Sequence, residues 1–162
     1  MEEAKNIFLI LDELRENAKQ VDNDGLKAVE TLITEANRIF IGGAGRSGFC
    51  ARGFSNRLMH LGYTVYFVGE PTTPSIQAGD LLIVGSGSGN TASLVSNVKK
   101  AKDQGAKVAT LTMFPENKIG SMADAIIKIP GVTEKCADQN EGGSVQASGS
   151  SFEELCWITY DA

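Results

Sequence analysis

The sequence has a single histidine, His60, and three cysteines, Cys50, Cys136 and Cys156, with no close pair among them. One histidine leaves no His-rich metal centre available, and an odd number of scattered cysteines suggests neither a disulfide framework nor a zinc site. Chemistry without a metal or a cofactor is the expectation. Long apolar runs are also missing. The run from Ile7 to Leu11 is too short to span a bilayer, and the acidic residues before it do not fit a signal peptide. A cytoplasmic protein with no membrane partner is expected. There is no basic excess either: 15 Lys and Arg against 20 Asp and Glu leave the chain mildly acidic, which speaks against nucleic acid as the main partner. An anionic ligand must then be held by local groups, not by the overall field. Internal repeats, long linkers and low-complexity segments are absent too.

What is present fits one domain. A length of 162 residues supports one hydrophobic core and is short for two, and 42% hydrophobic with 22% charged residues is ordinary for a globular protein. Residues 1–36 carry helical periodicity. Ile7, Ile10, Leu11 and Leu14 form one stripe for core or subunit packing, and Leu26, Val29, Leu32, Ile33 and Ala36 form another. Asp22, Asn23 and Asp24 lie between them as turn and cap material.

The pattern then changes to short apolar runs alternating with helical stretches. The runs Arg38–Gly42, Thr64–Val68, Leu81–Val84, Lys107–Thr112 and Ala125–Ile129 have strand length and the composition of strands buried on both faces. Ser47–Leu61 and Thr91–Gln104 have the size of crossover helices, with Gly62 and Gly105 as stops. This rhythm predicts an α/β fold, a three-layer αβα sandwich on a five-stranded parallel sheet in the flavodoxin-like order 2-1-3-4-5. Two glycine-rich turns, Gly42–Gly48 and Gly85–Thr91, follow the first and third strands. In that order those strands are neighbours, so both turns open onto one crevice.

The turn GSGSGNT is the sharper signal. Gly85, Gly87 and Gly89 allow close backbone approach and positive φ, while Ser86, Ser88 and Thr91 supply hydroxyls. The helix that follows offers free N–H groups and the positive end of its dipole, so an anion site forms without a lysine. The alternative is a flexible turn in which Ser88 or Asn90 only caps the helix. The loop is not a Walker motif, which needs a terminal Gly-Lys-Ser/Thr. Gly43-Ala-Gly45-Arg-Ser-Gly48 does match G-x-G-x-x-G. No acidic residue other than Glu70 closes the second strand, however, so dinucleotide binding is discounted. Arg46 and Ser47 stand at a helix start, where Arg46 serves either as a clamp on phosphate or sugar hydroxyl or as a salt-bridge partner. His60 lies near the end of that helix. Gly149, Ser150 and Ser151 precede a last helix with Glu153 in its first turn.

Four segments together resemble the sugar isomerase (SIS) domain family, and within it the 6-phospho-3-hexuloisomerases of the ribulose monophosphate pathway. They are GAGRSGFCARGFSNRLMHLGY, VGEPTTP, GSGSGNTASL and SGSSFEE, in order along almost the whole chain. The resemblance implies a single SIS domain over residues 1–162, with 1–36 as a helical N-terminal segment and 37–162 as the α/β core. It implies a homotetramer with active sites near subunit contacts. The implied reaction interconverts 3-hexulose 6-phosphate and fructose 6-phosphate, in formaldehyde fixation or detoxification. Carried over, Ser47, Ser86, Ser88 and Thr91 bind phosphate, together with the loop glycines Gly87 and Gly89. Arg46 contacts substrate, Glu153 matches the catalytic carboxylate, and His60 matches the histidine of RLMHLG. The chain departs from the family where Pro-Met is usual and Ala147-Ser148 stands, and at Ser151, where a larger residue is common. The family also continues past this point, through a long helix to a basic tail, so the last helix is expected to be truncated.

An isomerase of this kind needs one carboxylate over the C2–C3 bond, and Glu153 is the first choice, with Glu70 in reserve. His60 or a serine hydroxyl would move the hydroxyl proton. Two other readings use the same loop: a phosphosugar-sensing module without catalysis, and an isomerase for another phosphosugar such as arabinose 5-phosphate.

Overall fold

Strand residues alternate between two apolar faces, and that alternation organises the layers. The computed structural model describes residues 4–141 and 143–162. It contains helices α1 (Lys5–Ala18) and α2 (Asn23–Glu35), strand β1 (Ile39–Gly43), helix α3 (Gly45–His60) and strand β2 (Val65–Phe67). Strand β3 (Leu81–Gly85), helix α4 (Ala92–Asp103), strand β4 (Lys107–Thr112), strand β5 (Ala125–Lys128) and helix α5 (Ser150–Asp161) follow. All strand pairs are parallel, in the order β2-β1-β3-β4-β5, as the rhythm of the sequence predicts.

On one face, Ile39, Ile41, Leu81 and Ile83 pack with Leu14 of α1, Val29 of α2, Phe54 and Leu58 of α3, and Phe152 of α5. On the other, Phe40, Leu82, Val84 and Val108 pack with Leu94, Val95 and Val98 of α4. Residues i and i+1 of each strand thus bury on opposite faces, so the strands read as continuous apolar runs. Four helices cover one face. The other has α4 and the β2–β3 connection, which contains no helix.

The first helical stripe is only half used. Leu14 is buried and Ile10 packs partly, but Ile7 is 58% and Leu11 52% exposed. The second stripe behaves as expected, with Val29 buried and Leu26, Leu32, Ile33 and Ala36 packed against the core. Asp22 caps α2 by accepting from the N–H groups of Asp24 and Gly25. No helix among the described residues is long and apolar enough to cross a membrane.

The feature that positions the site is the β1–β3 pairing, whose register places Gly43 opposite Gly85. Both glycine-rich turns leave the sheet side by side at its carboxyl edge, the usual ligand crevice of such sheets.

Candidate active site

Three helices begin at this edge, and none of them is capped by a side chain. At α3, Ala44 precedes the helix with extended backbone; at α4 the position is held by Thr91, and at α5 by Gly149 in the left-handed region (φ 82°). An uncapped start leaves first-turn N–H groups without partners and exposes the positive end of the dipole. Three such starts around one crevice offer an anion neutral donors, although in α5 the Ser150 N–H already donates to the Ala147 carbonyl at 3.0 Å. The alternative in which Ser88 or Asn90 caps α4 is not what the loop does. Ser88 Oγ accepts from the Asn90 N–H at 3.3 Å, and Asn90 Oδ1 accepts from the Lys118 N–H at 3.3 Å.

The starts enclose a cleft of about 240 Å³. Ser47, Ser86, Ser88 and Thr91 line it on one bank, with Gly87 between the serines, and Glu153 lines it on the other. Ser86 is 3% exposed and its Oγ has no hydrogen-bond partner among the described residues. A buried hydroxyl left unpaired costs on the order of 1–3 kcal/mol, so its place in the cleft wall suits a ligand oxygen. Of the loop glycines only Gly89 takes positive φ (63°). Gly87 is required for closeness instead, since a Cβ there would lie 2.7 Å from Met113 Cε.

Arg46 does not reach toward the loop; it pairs with Glu153, its Nε 2.8 Å from Oε2. The N–H is not aligned along that contact, so Oε2 has a charge partner but no hydrogen-bond donor. Burial pushes the Glu153 carboxyl above the usual carboxylate range. Arg46 opposes the shift, Glu154 adds to it, and Lys135 opposes it. A carboxyl raised by burial is a stronger base than a free one, the direction that general base chemistry needs. Cys50, on α3, donates its thiol to the Glu153 carbonyl oxygen at 3.3 Å, and burial raises its pKa, followed by the effect of Glu153.

Four candidates are not among the cleft's lining residues: Arg46, which meets it only through Glu153, Gly89, Glu70 and His60. Glu70 pairs with Arg52 at 2.5 Å and lines a separate groove beyond β2. His60 closes α3, fifteen residues beyond Gly45, and so lies about 22 Å along the helix from the cleft. It is exposed, in a groove with Asn56, Trp157 and Asp161. One chain therefore brings together Ser47, Ser86, Ser88, Thr91 and Glu153 with Arg46, but not His60 or Glu70.

Sequence reasoning missed Thr133 and Lys135, which line the cleft from the β5–α5 crossover. That segment is irregular, with Cys136 at φ −141° and ψ 52°, and carries no periodicity to reveal it. No group of three or more potential metal ligands occurs among the described residues.

Comparison with known proteins identifies the family and the fold. The SIS domain family matches residues 32–153. The 3-hexulose-6-phosphate isomerase of Bacillus subtilis is 42% identical over 164 aligned positions, covering 100% of this chain and 87% of that protein. The 3-hexulose-6-phosphate isomerase of Mycobacterium gastri is 39% identical, over 98% of this chain and 79% of that one. A hypothetical protein from Methanococcus jannaschii, whose crystal structure was taken to infer a molecular function of 3-hexulose-6-phosphate isomerase, superposes with a TM-score of 0.79. It is 33% identical, over 97% of this chain and 85% of that one.

Proposed function

The chain belongs to the SIS domain family, and from that premise we propose that it interconverts 3-hexulose 6-phosphate and fructose 6-phosphate. The observation that carries this is a half-buried carboxylate, Glu153, facing an anion cleft made of uncapped helix starts, while the cleft's other carboxylate, Glu134, is exposed. Phosphate sits among Ser47, Ser86, Ser88 and Thr91, and holds the sugar with its C2–C3 bond toward Glu153. That anchoring supplies orientation far from the reacting carbons.

Glu153 takes the proton from C2 of the 3-hexulose. The C–H electron pair becomes the C2–C3 double bond, and the carbonyl pair moves onto O3. The same carboxyl, now protonated, returns its proton to C3 while the hydroxyl proton passes from O2 to O3 and the C2 carbonyl forms. The reaction consumes no other reactant, so no cofactor is called for. Burial raises the Glu153 pKa, which favours acceptance of the proton, and the Arg46 charge opposes that rise, which favours the ionised form that acts as base.

His60 enters by assembly. It is exposed on the outer end of α3, so in a homotetramer with sites near subunit contacts it serves the cleft of a neighbouring copy, moving the hydroxyl proton. The physiological setting we propose is formaldehyde fixation or detoxification in the cytoplasm.

The test is Glu153→Gln, assayed with 3-hexulose 6-phosphate formed in place from ribulose 5-phosphate and formaldehyde. Isomerisation should be abolished while fructose 6-phosphate still binds. Mixed assemblies of Glu153→Gln and His60→Ala chains should recover part of the activity that each lacks alone. Normal turnover by Glu153→Gln would refute the assignment of the base.

A further inference from the structure

Lys135 is the one cationic side chain among the cleft's described lining residues. Arg46, the other cation near Glu153, is already engaged in an ion pair and lines the outer side of that carboxylate. Lys135 has no ion pair among the described residues. Its ammonium therefore remains available to a ligand.

The backbone that carries it is fixed to the helix that carries the base. The Gly149 N–H donates to the Val132 carbonyl at 2.8 Å, and the Glu134 N–H donates to Ser148 Oγ at 2.9 Å. Thr133 Oγ1 accepts from the Lys135 N–H at 3.3 Å, and Asn140 clamps Thr133 through two bonds of 2.9 Å. The lysine and the start of α5 thus form one unit.

Its placement along the cleft matters for chemistry. The phosphate bank already has the starts of α3 and α4 and the serine hydroxyls, whereas Lys135 lines the cleft from a segment bonded to the start of α5, the helix that carries Glu153 at the reacting end. When a base removes a proton beside a carbonyl, negative charge appears on the carbonyl oxygen, and neutral donors at the far phosphate do not meet it. A cation carried on backbone anchored at the reacting end does.

We propose that Lys135 is a catalytic residue whose ammonium, carried into the cleft from the backbone tied to the start of α5, stabilises the oxyanion of the enediolate. The assignment rests on the isomerase reading above. The step adds no reactant. The charge that Lys135 meets on O3 is the carbonyl pair displaced by the C–H electrons; it takes up the proton that leaves O2, whose O–H pair forms the C2 carbonyl as the C2–C3 double-bond pair takes the proton at C3.

Lys135→Met and Lys135→Arg test this, together with the unaltered protein, by coupled turnover and by exchange of the C3 proton of fructose 6-phosphate in deuterium oxide. Lys135 is exposed, so both variants should fold normally. Lys135→Met should lose about 100-fold in kcat and in exchange, with KM and inhibition by inorganic phosphate changed by no more than about twofold. Lys135→Arg should recover most of the loss. The groups facing Glu153 are Arg46, Lys135 and Glu154, with the Cys50 thiol beside them. Removing one cation from this set should move the acid limb of kcat/KM to higher pH. Undiminished exchange by Lys135→Met, or a rise in KM and loss of phosphate inhibition at constant kcat, would overturn the proposal and leave the isomerase reading standing. Absence of turnover and exchange in the unaltered protein would refute the isomerase reading and this role with it.

Discussion

Replacing Gly85 by alanine places a methyl group 2.8 Å from the Tyr160 hydroxyl oxygen, at the floor of the cleft. Tyr160 cannot swing aside, because its ring stacks on Phe54 at 4.4 Å with an interplanar angle of 14°. The strain should therefore pass to α5, which carries Glu153 two turns earlier. Overpacking of this kind costs about 1–3 kcal/mol, and for a chain of this size each kcal/mol lowers Tm by about 2–4 °C. The expected loss for Gly85→Ala is thus about 2–12 °C, with activity reduced. Tyr160→Phe removes the clashing atom, and the next neighbours of the methyl group are the Ser47 carbonyl oxygen at 3.9 Å and Tyr160 Cζ at 4.0 Å, ordinary contacts. Tyr160→Phe alone should not destabilise, since the hydroxyl it removes is buried without a partner among the described residues. In that background Gly85→Ala should be neutral, or gain up to about 1 kcal/mol by restricting the unfolded chain. The assay is a thermal and urea cycle of the four proteins at one chain concentration. Equal cost of Gly85→Ala in both backgrounds would refute the contact and the reasoning built on it.

Two further outcomes concern the frame of the sheet. Thr110, fully buried in β4, donates its hydroxyl to the Val84 carbonyl at 2.9 Å, so Thr110→Val should cost about 1 kcal/mol in urea denaturation and leave KM unchanged. Burial alone would raise the Asp124 pKa, but the Lys102 ammonium, the Val108 N–H and the Lys107 charge outweigh it and hold the carboxyl below its usual value. Asp124 therefore contributes stability above pH ~4 that is lost as pH falls through its lower folded pKa, and the gap to Asp124→Asn should close across that acid range in denaturation at varied pH.

The sheet was legible because its physics is local. Ile39–Gly43 and Leu81–Gly85 are buried on both faces, so each reads as an apolar run whose length and ending mark a strand. The convergence of the two glycine turns followed from strand order alone, and the register of Gly43 beside Gly85 agrees with it. What could not be read depends on contacts between distant segments. Arg46 and Glu153 meet only because α3 and α5 pack together, and no spacing in the sequence distinguishes that pair from a clamp on phosphate. His60 shares a helix with Ser47, yet its motif does not reveal that the helix runs away from the cleft before reaching it. Lys135 sits in an irregular segment whose backbone is held by Asn140 and Ser148, partners that periodicity does not identify.

The distribution of charge in the cleft follows from the acidity of the whole chain. With 20 acidic against 15 basic residues, the overall field opposes a phosphorylated ligand. The phosphate end answers with dipoles and hydroxyls, which need no counter-charge and are held by the backbone they belong to. The two cations are left for the other end, one on each side of Glu153. There they act on a carboxyl whose burial raises its pKa, and their number sets how far that rise goes. Too little positive charge would leave the carboxyl protonated and unable to accept a proton. Too much would keep it ionised and a weak base. An exposed Arg46 and a backbone-anchored Lys135 both oppose the rise that burial causes, and the second, on our proposal, also meets the charge that the reaction creates. Binding and proton transfer are thereby assigned to different kinds of group in a cleft of about 240 Å³. For that reason, losing a loop serine should weaken affinity, while losing Lys135 should slow the chemical step.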